Sequence, residues 1–107
     1  MRIRLLAIEG CHKCEGVKKK FEDWGVDFDM AYCEKDPASC DCVESIVGTS
    51  NYPMALLEKN GEILEIIYLC DSYEVLSEGN KVISNTLTIP NHSVDGIALY
   101  VKKRLNL

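Results

Sequence analysis

Two spacings of apolar residues alternate along the chain. Arg2 to Ile8 is a short apolar run broken by only two charges, which predicts a strand that Gly10 ends. From His12 onward, Cys14, Val17, Phe21 and Trp24 recur at intervals of three and four, the stripe of an amphipathic helix. Lys13, Lys18, Lys19, Lys20 and Glu22 take its wet face, and Gly25 supplies a stop. Val26 to Cys33 returns to period two, with Val26, Phe28 and Met30 on one side, and reads as a second strand. Asp36-Pro37 opens a turn. Ser39 or Asp41 is placed to cap a short helix bearing Val43, Ile46 and Val47, closed by Gly48.

Pro53 introduces two apolar runs, Met54 to Glu58 and Glu62 to Cys70, divided by Lys59-Asn60-Gly61. Asn-Gly between such runs is a strong hairpin signal. Asp71 can cap a short helix through Leu76 that Gly79-Asn80 ends, and Lys81 to Pro90 reads as a loop or an added strand. Asn91 or Ser93 caps a last helix carrying Val94, Ile97, Ala98, Val101 and Leu105, whose basic end Lys102 to Arg104 complements the helix dipole. The predicted order is β-α-β-α-β-β-α with an extra C-terminal helix. The first crossover makes the first two strands parallel, and the hairpin makes the last two antiparallel. The expectation is an α/β sandwich around a four-stranded mixed sheet. Residues 1–107 form one domain in this reading, and 79–107 extend its common core.

Composition narrows the function. A chain of 107 residues, 47% apolar, can bury a core without staples. Twelve Lys and Arg against seventeen Asp and Glu give a formal charge of -5, which argues against a nucleic-acid footprint. The apolar stretch near Met1 is too short for a signal peptide, and no window approaches the roughly 20 apolar residues of a membrane span. A cytoplasmic monomer with neither membrane nor nucleic-acid partner is expected. Six cysteines then stand out, because cytosolic thiols are mostly kept reduced. They point to catalysis, redox sensing or metal binding rather than to a disulfide framework.

Cys11-His12-Lys13-Cys14 lies between the first strand and the first helix. A thiol at a helix N-terminus meets free N–H groups and the positive end of the helix dipole, which favour the thiolate. Lys13 adds positive charge, as His12 does when protonated. Cys11 should be exposed, whereas Cys14 shares the buried stripe with Val17 and Phe21. That asymmetry suits an attacking Cys11 and a resolving Cys14. Taken alone, the same spacing is also half of a zinc site, or an inert pair. Its place between strand and helix favours redox chemistry.

Topology draws the other cysteines to the same edge of the sheet. Cys33 ends the strand parallel to the first, Cys40 and Cys42 begin the helix leaving that edge, and Cys70 ends the returning hairpin strand. All six thiols are expected at this edge, where open sheets bind ligands. Cys33 and Cys70 read equally well as small core hydrophobes. Cys40-Asp41-Cys42 reads as a second dithiol that re-reduces the first, or as the completion of a four-thiolate metal site with Cys11 and Cys14. Trp24 fits the core stripe, Lys18 to Lys20 a solvated face or a docking site for an acidic partner, and His92 a loop.

The dithiol after strand one, the proline opening strand three, and the hairpin followed by Cys70-Asp71 resemble the glutaredoxin branch of the thioredoxin fold over roughly residues 2 to 78. The resemblance implies that Tyr52-Pro53 is a cis-proline whose preceding backbone pairs with a peptide-like substrate. It implies that Cys70-Asp71 stands where the family binds the γ-glutamyl end of glutathione. Three positions depart from the family pattern. His12 replaces a proline, Glu9-Gly10 stands where a lysine precedes the dithiol, and Tyr68-Leu69 replaces a glycine pair.

The expected function is therefore a thiol–disulfide oxidoreductase that reduces protein or glutathione mixed disulfides. Cys11 and Cys14 are its catalytic pair, and His12, Lys13, Tyr52, Pro53, Cys70 and Asp71 line its substrate site. Cys33, Cys40 and Cys42 are auxiliary thiols, no resident cofactor or metal is expected, and glutathione is the candidate reductant. The competing expectation is a zinc or iron–sulfur module built on Cys11, Cys14, Cys40 and Cys42. A third is an adaptor whose dithiol is vestigial. Residues 79–92 are assigned no role by the sequence beyond a suspected part in partner choice.

Overall fold

A computed structural model describes residues 1–107. In chain order the elements are β1 (Arg2–Ala7), α1 (His12–Asp23), β2 (Phe28–Tyr32), α2 (Pro37–Val47), β3 (Met54–Lys59) and β4 (Glu62–Leu69). They are followed by α3 (Tyr73–Glu78), β5 (Lys81–Ile83), β6 (Thr86–Asn91) and α4 (Val94–Arg104). The strands form one sheet in the order β2-β1-β3-β4-β6-β5. Within it, β1 and β2 are parallel while β3 runs antiparallel to both β1 and β4. The first four strands and two helices thus have the thioredoxin-like order expected from the sequence.

The sheet departs from the four strands expected. Lys81 to Pro90 is no loop: β5 and β6 form an antiparallel pair that docks β6 parallel to β4. Four residues settle this. Leu87 and Ile89 alternate with Thr86 and Thr88, whose hydroxyls donate to the carbonyls of Ile63 and Lys81 at 3.0 and 2.9 Å. A buried threonine is tolerable only with such a partner. Pro90 stands beyond the last residue of β6 that β5 pairs with, so its missing N–H leaves no gap in that ladder.

The final helix is not an appendage either. Ile97, Ala98 and Val101 of α4 are buried with Val17 and Phe21 of α1 and with Ile3, Leu5, Ala55, Leu57, Ile67 and Ile89 of the sheet. By contrast, α3 buries no residue. The face of the sheet covered by α1 therefore needs α4 to be closed. Polar contacts fix the two helices side by side: Lys20 pairs with Asp95, and the Lys102 ammonium sits 4.7 Å from the centre of the Trp24 ring. Lys20 is thus committed within the fold, and Trp24 is a half-buried flank of the core. Glu65 on β4, nearly fully buried, accepts from Tyr100 at 2.8 Å and from Arg104 at 3.0 Å. A buried carboxylate needs such donors. At the start of α4, Gly96 leaves room for Asn91, because a Cβ there would stand 2.1 Å from the Asn91 side-chain oxygen.

The opposite face is covered by α2 through Cys40 and Val43, over Leu6, Met54, Leu56, Ile66 and Tyr68. The hairpin between β3 and β4 turns at Asn60-Gly61 as predicted, with φ of 54° and 80° at these two residues. Positive φ at both centres matches the right-handed twist of the flanking strands.

Candidate active site

Three of the four helices start with oxygen caps: Asp36 for α2, Ser72 for α3 and Ser93 for α4. The fourth starts with sulfur. Cys11 occupies the N-cap of α1 in extended backbone, and its Sγ accepts the Cys14 N–H at 3.1 Å. Capping normally favours small hydroxyl or carboxylate side chains because the first N–H groups of a helix lack internal partners. Here that donor is aimed at the sulfur. Cys11 is half-buried while Cys14 is 1% exposed, so the asymmetry read from the sequence is realised. The two are joined as a disulfide, with Cα atoms 5.3 Å apart. His12 and Lys13 form the exposed start of α1 beside them.

A second disulfide stands on the same face. Cys33 and Cys40 are joined, with Cα atoms 5.7 Å apart. Cys33 follows β2, and its N–H donates to the Ala7 carbonyl at 2.9 Å, at the end of β1 that leads into Cys11. Cys40 is 2% exposed and belongs with Cys14 to one apolar cluster, against which Cys11, Cys33 and Cys70 also pack. Five of the six cysteines therefore border one cluster.

The pairing expected within Cys40-Asp41-Cys42 does not form. The helix starts earlier than the caps chosen from sequence, at Pro37 with Asp36 as its cap, so both cysteines lie inside α2 rather than in a turn. Residues two apart on a helix face different directions. Cys40 is buried, whereas Cys42 is an exposed free thiol over a groove with Arg4, Ala38, Ser39, Leu56, Glu58 and Ile63. For the same reason Cys42 does not join Cys11, Cys14 and Cys40 as a ligand set. No group of three or more His, Cys, Asp or Glu side chains is arranged to hold a metal ion.

Tyr52-Pro53 is a cis peptide, as the resemblance implies and as the dipeptide alone would not suggest. Met54, the next residue, pairs with Leu6 of β1, which sets Pro53 near the loop that carries Cys11. Tyr52 is 8% exposed and packs in the sulfur-bearing cluster. Its hydroxyl donates to Glu44 of α2 at 2.5 Å, and burial together with that carboxylate pushes its pKa above the ordinary tyrosine range. Glu44 drew no attention in the sequence, since a lone glutamate on a short helix carries no signal.

Cys70 is a half-buried free thiol whose Sγ lies 3.9 Å from the Ser72 carbonyl, and Asp71 beside it is exposed. Ser72, not Asp71, caps the following helix. Asp71 is thereby left without a capping duty. Cys70 and Asp71 line a groove of about 280 Å³ with Val47, Thr49, Asn51 and Tyr68, and Cys11 does not reach it. Tyr68 and Leu69 are buried, on the α2 and α4 sides of the sheet respectively. Their bulk is thus mostly spent in the two packed layers. His92 is exposed in the turn before α4.

No protein-family model matches the chain, and no curated protein matches it. Among solved structures, the chain is similar to a glutaredoxin from Archaeoglobus fulgidus, with 21% identity and a TM-score of 0.45. That similarity covers 72% of this chain and 83% of the other. No helix is long and apolar enough to cross a membrane.

Proposed function

We propose that the chain is a thiol–disulfide oxidoreductase working through Cys11 and Cys14 on protein disulfides or glutathione mixed disulfides. The observation that carries this reading is the sulfur cap: Cys11 Sγ receives the Cys14 N–H at the N-terminus of α1, while Cys14 is buried directly behind it. In the reduced chain the same N–H and the helix dipole stabilise a Cys11 thiolate, the form that attacks a disulfide. Cys11 displaces one sulfur of the substrate and forms a mixed disulfide. Cys14 then gives up its proton and attacks Cys11, releasing the second substrate sulfur and closing Cys11–Cys14. The two electrons have passed from the dithiol to the substrate.

The Tyr52-Pro53 segment gives the substrate an extended partner in this reading, and His12 and Lys13 flank its approach. Tyr52 acts through position, held by Glu44. Glutathione is the proposed source of electrons for the next cycle, and the groove beside Cys70 and Asp71 is where its peptide-like end would lie. Its free carboxylate, Asp71, supports this assignment as a partner for an amino group.

The test is a pair of variants in the full chain. Cys11→Ser should abolish reduction of a model disulfide, whereas Cys14→Ser should accumulate a mixed disulfide visible as added mass. Turnover retained in Cys11→Ser would overturn the assignment.

A further inference from the structure

We propose that Cys33 and Cys40 are a second redox couple that exchanges electrons, within one chain, with Cys11 and Cys14. The proposal rests on the reading of Cys11–Cys14 as a redox pair and extends it to a four-electron site.

Two observations carry it. The first is placement. Cys14 and Cys40 are each at most 2% exposed and belong to one apolar cluster, while Cys11 and Cys33, their more exposed partners, pack on its margin. Each pair thus joins one buried sulfur to one more accessible sulfur. The second is that the turn holding Cys33 and Cys40 keeps its shape by other means. Cys33 N–H donates to the Ala7 carbonyl at 2.9 Å, and the N–H groups of Lys35 and Asp36 donate to the Tyr32 carbonyl at 3.0 and 2.9 Å. Asp36 accepts the Ser39 hydroxyl at 2.7 Å and the Ser39 N–H at 3.4 Å. Such a turn can lose its sulfur bond without losing the approach of its two thiols. That is what a cycling couple requires and a staple does not.

The exchange balances as two thiol–disulfide steps. Starting from reduced Cys33 and Cys40 beside oxidised Cys11–Cys14, the Cys40 thiolate attacks Cys14 Sγ and expels Cys11. The leaving sulfur is the one already capped by the helix N-terminus, and a better-stabilised thiolate leaves faster. Cys33 thiolate then attacks Cys40 Sγ, closes Cys33–Cys40 and expels Cys14. The protons lost by Cys40 and Cys33 are taken up by Cys11 and Cys14. Cys11 is again ready to attack, and the chain has reduced one external disulfide while keeping its catalytic pair reduced.

The experiment uses the full chain, fully reduced and free of oxygen, with one equivalent of bis(2-hydroxyethyl) disulfide. Samples are quenched in acid at intervals, alkylated in denaturant and mapped by peptide mass spectrometry. The expected result is a Cys11–Cys14 bond that appears first and decays into Cys33–Cys40 at a rate independent of protein concentration. With excess disulfide, two internal bonds should form per chain, falling to one in Cys33→Ser. A bond that stays on Cys11–Cys14, a Cys33–Cys40 bond that resists the initial reduction, or a transfer rate proportional to protein concentration would each overturn the proposal. A separate arm isolates the exchange from the catalysis. In the double variant Cys11→Ser/Cys33→Ser, diamide should close the intermediate Cys14–Cys40 bond, and its failure to form overturns the exchange route alone. If bis(2-hydroxyethyl) disulfide leaves every thiol of the unaltered chain reduced while Cys14–Cys40 still closes in the variant, the oxidoreductase reading fails instead.

Discussion

The two faces of the sheet are made of different material. Under α1 and α4 the thirteen buried residues are Ile, Leu, Val, Phe and Ala, with no sulfur among them. Under α2 the buried set includes Cys14, Cys40, Met54, Tyr52 and Tyr68, with Cys11, Cys33 and Cys70 at its margin. The first is hydrocarbon packed for cohesion, with the Glu65 carboxylate at its edge answered by Tyr100 and Arg104 of α4. The second buries the sulfurs, with Tyr52 among them held by Glu44. The helix α1 belongs to both, sending Val17 and Phe21 into the first and Cys14 into the second. Stability and chemistry are thereby divided between faces, and the reactive thiols sit at the end of a helix that the hydrocarbon face holds still.

The sharpest way to break this comparison is to exchange the effects. Cys11→Ser should bring disulfide reduction down to the uncatalysed rate while leaving the unfolding midpoint nearly unchanged, as measured by a coupled turnover assay and by thermal unfolding. An equal loss of stability would show that the sulfur face also carries cohesion. Phe21 is fully buried on the other face, with its ring centre 5.3 Å from that of Phe28 in an edge-to-face pair. Phe21→Ala should therefore cost about 3–5 kcal/mol by urea unfolding. Its folded fraction should still reduce disulfides at close to the normal rate per molecule.

A smaller effect is expected at the cap of α2, which holds Cys40. Asp36→Ala should lower stability by removing the cap of the first N–H groups of α2, read as a lower urea unfolding midpoint. The Ser39 hydroxyl and N–H hold the Asp36 carboxyl below the usual carboxylate range. A carboxyl depressed in the folded state stabilises above its unfolded pKa and loses that contribution as pH falls through the folded value. The Asp36→Ala difference should accordingly be full at pH 7 and shrink in acid, and a pH-independent difference would place the effect elsewhere.

The mildest test compares two tyrosines that donate to carboxylates, buried Tyr52 and half-buried Tyr100. Burial and Glu65 push Tyr100 up to about 12, and burial and Glu44 push Tyr52 up as well. A pKa raised in the folded state gives stability that is complete below the unfolded value near 10 and is lost as pH rises toward the folded one. Unfolding free energy should thus begin to fall above about pH 10. Tyr52→Phe and Tyr100→Phe should each remove part of that fall, read from urea titrations at pH 9 and 11. A slope unchanged in both variants would show that neither tyrosine is shifted by its burial and its carboxylate.

Much of the site is legible in the sequence. The CxxC motif placed between a strand and a stripe of period 3.6 suffices to expect an exposed Cys11, which the structure half-buries, and a buried Cys14, because local spacing decides which face of a helix a residue occupies. Asn60-Gly61 similarly identified its own turn. The cap of α2 is Asp36, a few residues before the Ser39 or Asp41 that the sequence offers, and that small shift changes the chemistry. It moves Cys40 and Cys42 from a turn, where neighbouring thiols can meet, into a helix that points them apart.

What the sequence determined by itself is therefore local: the strand and helix periods, the hairpin, and the sulfur at the start of α1. These follow from interactions within a few residues, where spacing alone fixes geometry. Only the tertiary structure decided that Cys33 pairs with Cys40, that β6 and α4 complete the sheet and the hydrocarbon face, and that Glu44 holds Tyr52. Those contacts join segments whose separate patterns say which face is apolar but not which apolar face will meet it. That choice is made by packing the whole chain at once, when each face takes the partner whose shape and hydrogen-bonding groups leave nothing buried and unpaired.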